Sequence, residues 1–199
     1  MNKKFEEFKI ETKKNAYLIY TSGTTGKPKG ISITHANVLF TTKNIVDKLE
    51  YKKTDREILP LSLSHSFGLG LLHTALYVGS TIILQATDSI SVINDFVLAP
   101  ATVSANVNLV MQPGGAINVN ANLTLDGTGP LHLEADSPHS SSGAADGTGA
   151  INISTGKTIT AGGSVTLIGA DFGLVGSLSA GSNNVTIGQS VAGTCLLYT

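Results

Sequence analysis

The character of the chain changes sharply between residues 96 and 97, and no single regular architecture accommodates both sides of that change. Residues 1–96 hold 12 Lys and Arg against 9 Asp and Glu, whereas residues 97–199 hold one basic residue, Lys157, against five acidic ones. Glycine runs the other way, 6 before the change and 16 after it, and the aromatic residues beyond it are Phe172 and Tyr198 alone. The two parts therefore carry +3 (12 minus 9) and −4 (1 minus 5), which sum to the formal −1 of the whole. A balance so near zero gives no reason to expect nucleic acid or a membrane surface as a partner. Two small domains fit within 199 residues, and the reading is 1–96 and 97–199, with the junction between 85 and 105.

In the first part, NAYLIYT is apolar and aromatic enough for a buried strand, and GISIT alternates Ile31 and Ile33 with Ser32 and Thr34 as a half-buried strand does. Between them runs SGTTGKPKG. Its glycines let a backbone approach a bulky anion, the hydroxyls of Thr21, Ser22, Thr24 and Thr25 add donors to the backbone N–H groups, and Lys27 and Lys29 bring positive charge. The spacing is not that of a Walker A loop, since Pro28 stands where a hydroxyl residue is required. After the loop, Thr34 is a candidate N-cap for a helix with Val38, Leu39, Thr42, Ile45, Val46 and Leu49 along one face. The apolar runs ILPLSLSHSFGLG, LLHTALYVGS and TIIL then complete a layered α/β pattern.

The unbroken string YTSGTTGKPKG resembles the phosphate loop of the adenylate-forming superfamily, which includes acyl-CoA synthetases, luciferase and the adenylation domains of peptide synthetases. The resemblance covers residues 10–95 and implies an acid–AMP-forming ligase that uses ATP with Mg2+ and takes a carboxylate substrate. It implies that Thr21, Ser22, Gly23, Thr24, Thr25, Gly26, Lys27 and Lys29 wrap the β- and γ-phosphates. It also implies that His65, in the segment SLSHSFG that looks like the family's PLxHxxG, sits near the acyl group. Read from its neighbours alone, His65 between Ser64 and Ser66 is equally a turn residue hydrogen-bonded locally, so both readings stand. His73 reads as a packed core side chain and His35 as a surface residue. These 199 residues contain no YGxTE-like segment for adenine and magnesium, no matching ribose Asp and no catalytic lysine of a C-terminal domain, so the expectation is a truncated domain without turnover of its own. No metal ligands and no catalytic residue are assigned.

From Ala101 onward the pattern becomes VNLV, AINVNANLTL, LHLEA, AINIS, KTITA, SVTLIGA and NNVTI, short alternating segments parted by Gly, Asn, Ser and Asp. GGAINVNANLTL and TGAINISTGKTI lie 34 residues apart, from Gly115 to Gly149, a repeat with an insertion around DSPHSSSGAADGTG. A closed sandwich or a β-solenoid can hold such strands, and the crowding of Asn and Gly at the turns favours the solenoid. The stretch resembles the haemagglutinin-type right-handed β-helix of secreted bacterial adhesins. The expected fold is thus an α/β strand-loop-strand-helix fragment joined to an all-β segment, a right-handed parallel β-helix.

Nothing in this part has catalytic spacing. Asp126, Asp136, Asp146 and Asp171 stand apart and read as solvated turn residues, and Asn122, Asn152 and Asn184 open N-x-[ST] triplets of little weight. With few charges along its strand edges, self-association through the ends is the expected liability. The charged start MNKKFEEFK is not a secretory signal and no apolar run reaches about 20 residues, the length of a membrane span, which makes a cytoplasmic location the default. Cys195 is the single cysteine, so no internal disulfide forms. The alternatives are an adhesin-like structural segment, or a fused reading frame whose seam is QATDSISVINDFVLAP.

Overall fold

A computed structural model describes residues 11–21, 27–59, 63, 65–98, 107–138, 145 and 147–191. The chain divides into two compact units, Met1–Glu50 and Tyr51–Thr199. The first unit is an antiparallel hairpin, β1 (Asn15–Thr21) and β2 (Lys29–Thr34), followed by a helix, α1 (His35–Leu49). Both strands and the helix fall where the sequence pattern places them, but β1 is not the buried strand expected of NAYLIYT: none of its residues is buried, and Leu18 and Tyr20 are 56% and 68% exposed. Thr34 is the N-cap as expected: its Oγ1 accepts the Asn37 N–H at 3.2 Å while Asn37 Oδ1 accepts the Thr34 N–H at 3.0 Å. At the other end Glu50 holds a left-handed conformation, φ 53°, a position that glycine usually fills.

The second unit is mostly strand. It comprises β3 (Arg56–Leu59), the helix α2 (Ser66–Val78), β4 (Thr81–Ala86), β5 (Ile90–Val92), β6 (Phe96–Leu98), β7 (Asn108–Pro113), β8 (Ile117–Val119) and β9 (Leu123–Leu125). It continues with β10 (Leu131–Glu134), β11 (Ala150–Ile153), β12 (Thr158–Ala161), β13 (Val165–Gly169), β14 (Asp171–Leu174), β15 (Ser177–Ser179) and β16 (Val185–Gln189). These strands form three parallel sheets ordered β16-β13-β10-β7-β4-β3, β14-β11-β8-β5 and β15-β12-β9-β6. Each successive triplet, beginning with β4-β5-β6, adds one strand to each sheet.

This register stacks like on like. Ile82, Leu109, Leu131 and Val165 follow one another in one column, Ile90, Ile117 and Ile151 in a second, and Phe96, Leu123 and Ile159 in a third. Leu109, Ile117, Leu123, Leu131, Ile151, Ile159 and Val165 are all at most 1% exposed. Burying one such side chain contributes about 1.5–3 kcal/mol. Polar columns flank them: Asn152 Nδ2 donates to Asn118 Oδ1 at 2.9 Å and Ser154 Oγ to Asn120 Oδ1 at 2.7 Å. Each of these pairs spans 34 residues, the repeat read from the sequence. Where no insertion intervenes the spacing is shorter, as between Val165 and its partner Val185.

Several further expectations are corrected. The parallel stack begins upstream of residue 97, because β4, β5 and β6 already pair with β7, β8 and β9. The stretch read as a seam contains strands: Ile90 and Val92 alternate inward, as do Phe96 and Leu98, with Asn94 in the turn between them and no glycine. Asp136 is no solvated turn residue. It is 1% exposed with φ 57°, and its Oδ2 accepts the Gly147 N–H at 2.9 Å and the Ser190 hydroxyl at 2.7 Å, which closes the insertion between β10 and β11. Asp126 and Asp171 each accept the N–H of the next residue, and Asp146 lies outside the described residues. The strands β14 and β15 come from DFGLVGSLS, which the strand reading passed over.

Close stacking dictates where a methyl group is tolerated. A Cβ at Gly162, just after β12, would overlap the Gly127 carbonyl oxygen, whereas a Cβ at Gly70, within α2, meets nothing within 4 Å. Gly162→Ala is expected to lower the unfolding free energy by about 2 kcal/mol or more, and Gly70→Ala to raise it by about 0.5–1 kcal/mol. Urea denaturation of both variants checks the opposite signs.

Candidate functional site

The hairpin fixes the two ends of the phosphate-type string. Tyr20 pairs with Gly30 and Thr21 with Lys29, so the last residue of β1 and the first of β2 stand opposite one another at the open end of the ladder. This follows from the alternation of Tyr17, Ile19, Ile31 and Ile33, which register together on one face. The close pairing also favours a small residue at position 30: a Cβ there would approach the Tyr20 ring at 3.3 Å. Thr21, Lys27 and Lys29 are exposed. Ser22, Gly23, Thr24, Thr25 and Gly26 lie outside the described residues. An exposed hydroxyl and two ammonium groups at one hairpin mouth are suited to an anion.

His65 belongs to the second unit, where it is the exposed N-cap of α2, and its Nδ1 accepts the Phe67 N–H at 3.3 Å. The local hydrogen bond foreseen for it is therefore made with Phe67. His73, in the middle of α2, is half-buried, and burial lowers its pKa from the usual 6.5. His35 is the first residue of α1 and donates its N–H to the Lys14 carbonyl at 3.0 Å. A residue the sequence reading missed is Tyr51, whose hydroxyl donates to Glu57 Oε2 at 2.6 Å. Burial first, and then that hydrogen bond, push its phenol up to about 12. Only its position before a charged turn, EYKKTDRE, hinted at a tether there. Among the described residues no three His, Cys, Asp or Glu side chains gather as metal ligands, and no helix is long and apolar enough to cross a membrane.

Comparison with known proteins places the chain in a family. Residues 2–110 match the family model of the AMP-binding enzymes. The chain belongs to that family. It is 37% identical over 95 residues to 2-succinylbenzoate–CoA ligase of Bacillus subtilis (strain 168), which is 46% of this chain and 20% of that protein. It is 35% identical over 79 residues to D-alanine–D-alanyl carrier protein ligase of Streptococcus equi subsp. equi (strain 4047), 39% of this chain and 15% of that one. To the mitochondrial malonate–CoA ligase of Homo sapiens it is 40% identical over 73 residues, 36% of this chain and 13% of that one. The chain thus spans a fifth or less of the length of these relatives. No solved structure matches it.

The burial of His73 sets a pH dependence. Its folded-state pKa lies below the unfolded value of 6.5, so its contribution to stability is present above pH 6.5 and is lost as pH falls toward the folded value. Thermal unfolding between pH 7.5 and 5 is expected to show a falling Tm, and His73→Gln to flatten that fall.

Proposed function

We propose that residues 1–96 are a truncated acid–AMP-forming ligase domain that retains recognition of the ATP phosphates. The observation that carries this is the pairing of Thr21 with Lys29, which brings both ends of the YTSGTTGKPKG string to one place in a chain of the AMP-binding enzyme family. When bound, ATP accompanied by Mg2+ supplies the α-phosphorus that a carboxylate oxygen attacks, with pyrophosphate as the leaving group. The chain's own part is electrostatic. Lys27 and Lys29 offset the charge of the β- and γ-phosphates, and Thr21, Ser22, Thr24 and Thr25 supply hydroxyl donors around them. Gly23 and Gly26 leave room for the backbone to approach. His65 is assigned to the pocket for the acyl group of a carboxylate substrate. These residues bind and orient, and turnover by the 199 residues alone is not expected.

For residues 97–199, together with the strands from β4 onward, we propose a right-handed parallel β-helix of the haemagglutinin type, a structural segment rather than a second catalytic one. Its support is the three-sheet stacking and the aliphatic columns. At the last rung Val185 and Ile187 continue the column of Val165 and Leu167 yet are 45% and 38% exposed. This end is the proposed surface for self-association.

Calorimetric titration of ATP into the full chain, with and without magnesium, tests the first proposal. The Lys27→Ala, Lys29→Ala double variant is expected to bind about tenfold more weakly, with a difference that shrinks as salt is added; equal affinity in the two proteins would remove the phosphate assignment. For the second, sedimentation velocity is expected to show concentration-dependent association that Val185→Lys suppresses.

A further inference from the structure

Among the described residues, the first rung of the stack leaves a cavity open to solvent on one side. Its volume is about 270 Å³, and it is lined by Leu84, Ile90, Val92, Phe96 and Met111, with Leu63 at its side. One rung further on, the same columns are filled: Ile117, Leu123 and Val119 are wholly buried, whereas Ile90 and Phe96 are only half-buried and Ile93, in the turn between β5 and β6, is 72% exposed. Protein interiors seldom leave voids larger than a water molecule. An apolar void holds water poorly and takes apolar ligands instead; one of about 150 Å³ accepts benzene. A space nearly twice that size suits a ring with a short side chain, about nine or ten non-hydrogen atoms.

The rim is polar and carries one charge. Asp95 lines the cavity mouth, and both of its carboxylate oxygens are held by Asn122, Oδ1 accepting the backbone N–H at 2.9 Å and Oδ2 accepting Nδ2–H at 3.3 Å. The backbone hydrogen bond from Asn122, and then the side-chain one, keep this carboxyl below the usual carboxylate range, so it is ionised at neutral pH. Among the described residues Asp95 forms no ion pair, and Lys157 acts on it only from beyond that range. Two held oxygens still leave lone pairs free to accept. A carboxylate ligand would be repelled at this rim, while an ammonium would be attracted.

We propose that this cavity binds a small molecule with an apolar, ring-sized body and an ammonium head, the body lying among Leu84, Ile90, Val92, Phe96 and Met111 and the head on Asp95. His65 is not among the lining residues, although Leu63, two residues before it, is. It does not involve ATP.

The test uses three probes of one shape: phenethylamine, phenethyl alcohol and phenylacetate, each titrated into the full chain and followed by ligand-observed NMR. Phenethylamine is expected to bind tightest, about threefold better than the alcohol and about tenfold better than the acid at low salt. Asp95→Asn, at an exposed position that keeps one acceptor for Asn122, is expected to bring the amine down to the affinity of the alcohol. Val92→Phe fills the cavity and is expected to weaken all three probes. The proposal is overturned by the absence of saturable binding of any probe to the unaltered chain. Acid binding equal to that of the amine, or an order of affinities that Asp95→Asn leaves unchanged, overturns it as well.

Discussion

Parallel register between one rung and the next is the constraint on which the second unit rests. Because Leu109 lies against Ile82 on one side and Leu131 on the other, each inward side chain is flanked by its neighbours in the column and joins one core shared by the three sheets. A slip of one residue would turn Leu131 and Leu133 outward and His132 and Glu134 inward. The cost of burying two ionisable groups without suitable partners exceeds anything the slipped pairing could recover. The polar columns act in the same sense: Asn118 meets Asn152, and Asn120 meets Ser154, only in this register.

The insertion between β10 and β11 shows how the stack tolerates irregularity. Leu131 pairs with Val165 and Ala150 with Asp171, so the extra residues leave one sheet and return to the next without shifting either register. Asp136 makes this possible. Its N–H donates to Gly115, its carboxylate receives Gly147 from the far end of the insertion, and Ser190 reaches it from beyond β16. A carboxylate so enclosed is stable only with such donors around it. Two separate stretches of chain supply those donors, Gly147 and Ser190, while Gly115 accepts the backbone N–H of Asp136.

Local patterns were readable from the sequence, and non-local ones were not. β1, β2 and α1 stand where alternation and capping place them, since Thr34 and Asn37 complete a reciprocal cap within four residues. The string at residues 20–30 suggested an anion site through its residues, and the pairing of Thr21 with Lys29 brings its two ends together. What composition concealed was β5 and β6, because the residues from Gln85 to Leu98 hold no glycine and a single asparagine, Asn94, while keeping the alternation of Ile90 with Val92. The parallel pairing of β4 with β7 joins residues on either side of the compositional change, and no window of sequence contains both strands. Asp136 escaped notice for a related reason: an aspartate before Ser-Pro looks like a turn until the strand that covers it is placed.

The compositional change and the structural one therefore have different causes. Charge and glycine content shift at residue 97 because the later turns use Asn, Gly and Ser where the earlier ones use charged residues, a matter of turn chemistry. The compact units meet instead at Glu50 and Tyr51, where a helix ends on a left-handed residue and a phenol is tied to Glu57. The family match, running from residue 2 to 110, crosses both places and ends within β7. Strands β3 and β4 thus belong at once to the AMP-binding segment and to the six-stranded sheet that continues through β16. A parallel edge carries no mark of its origin: Ile82, Ile83 and Leu84 offer a following strand the same backbone ladder and the same inward side chains that any rung of the stack requires.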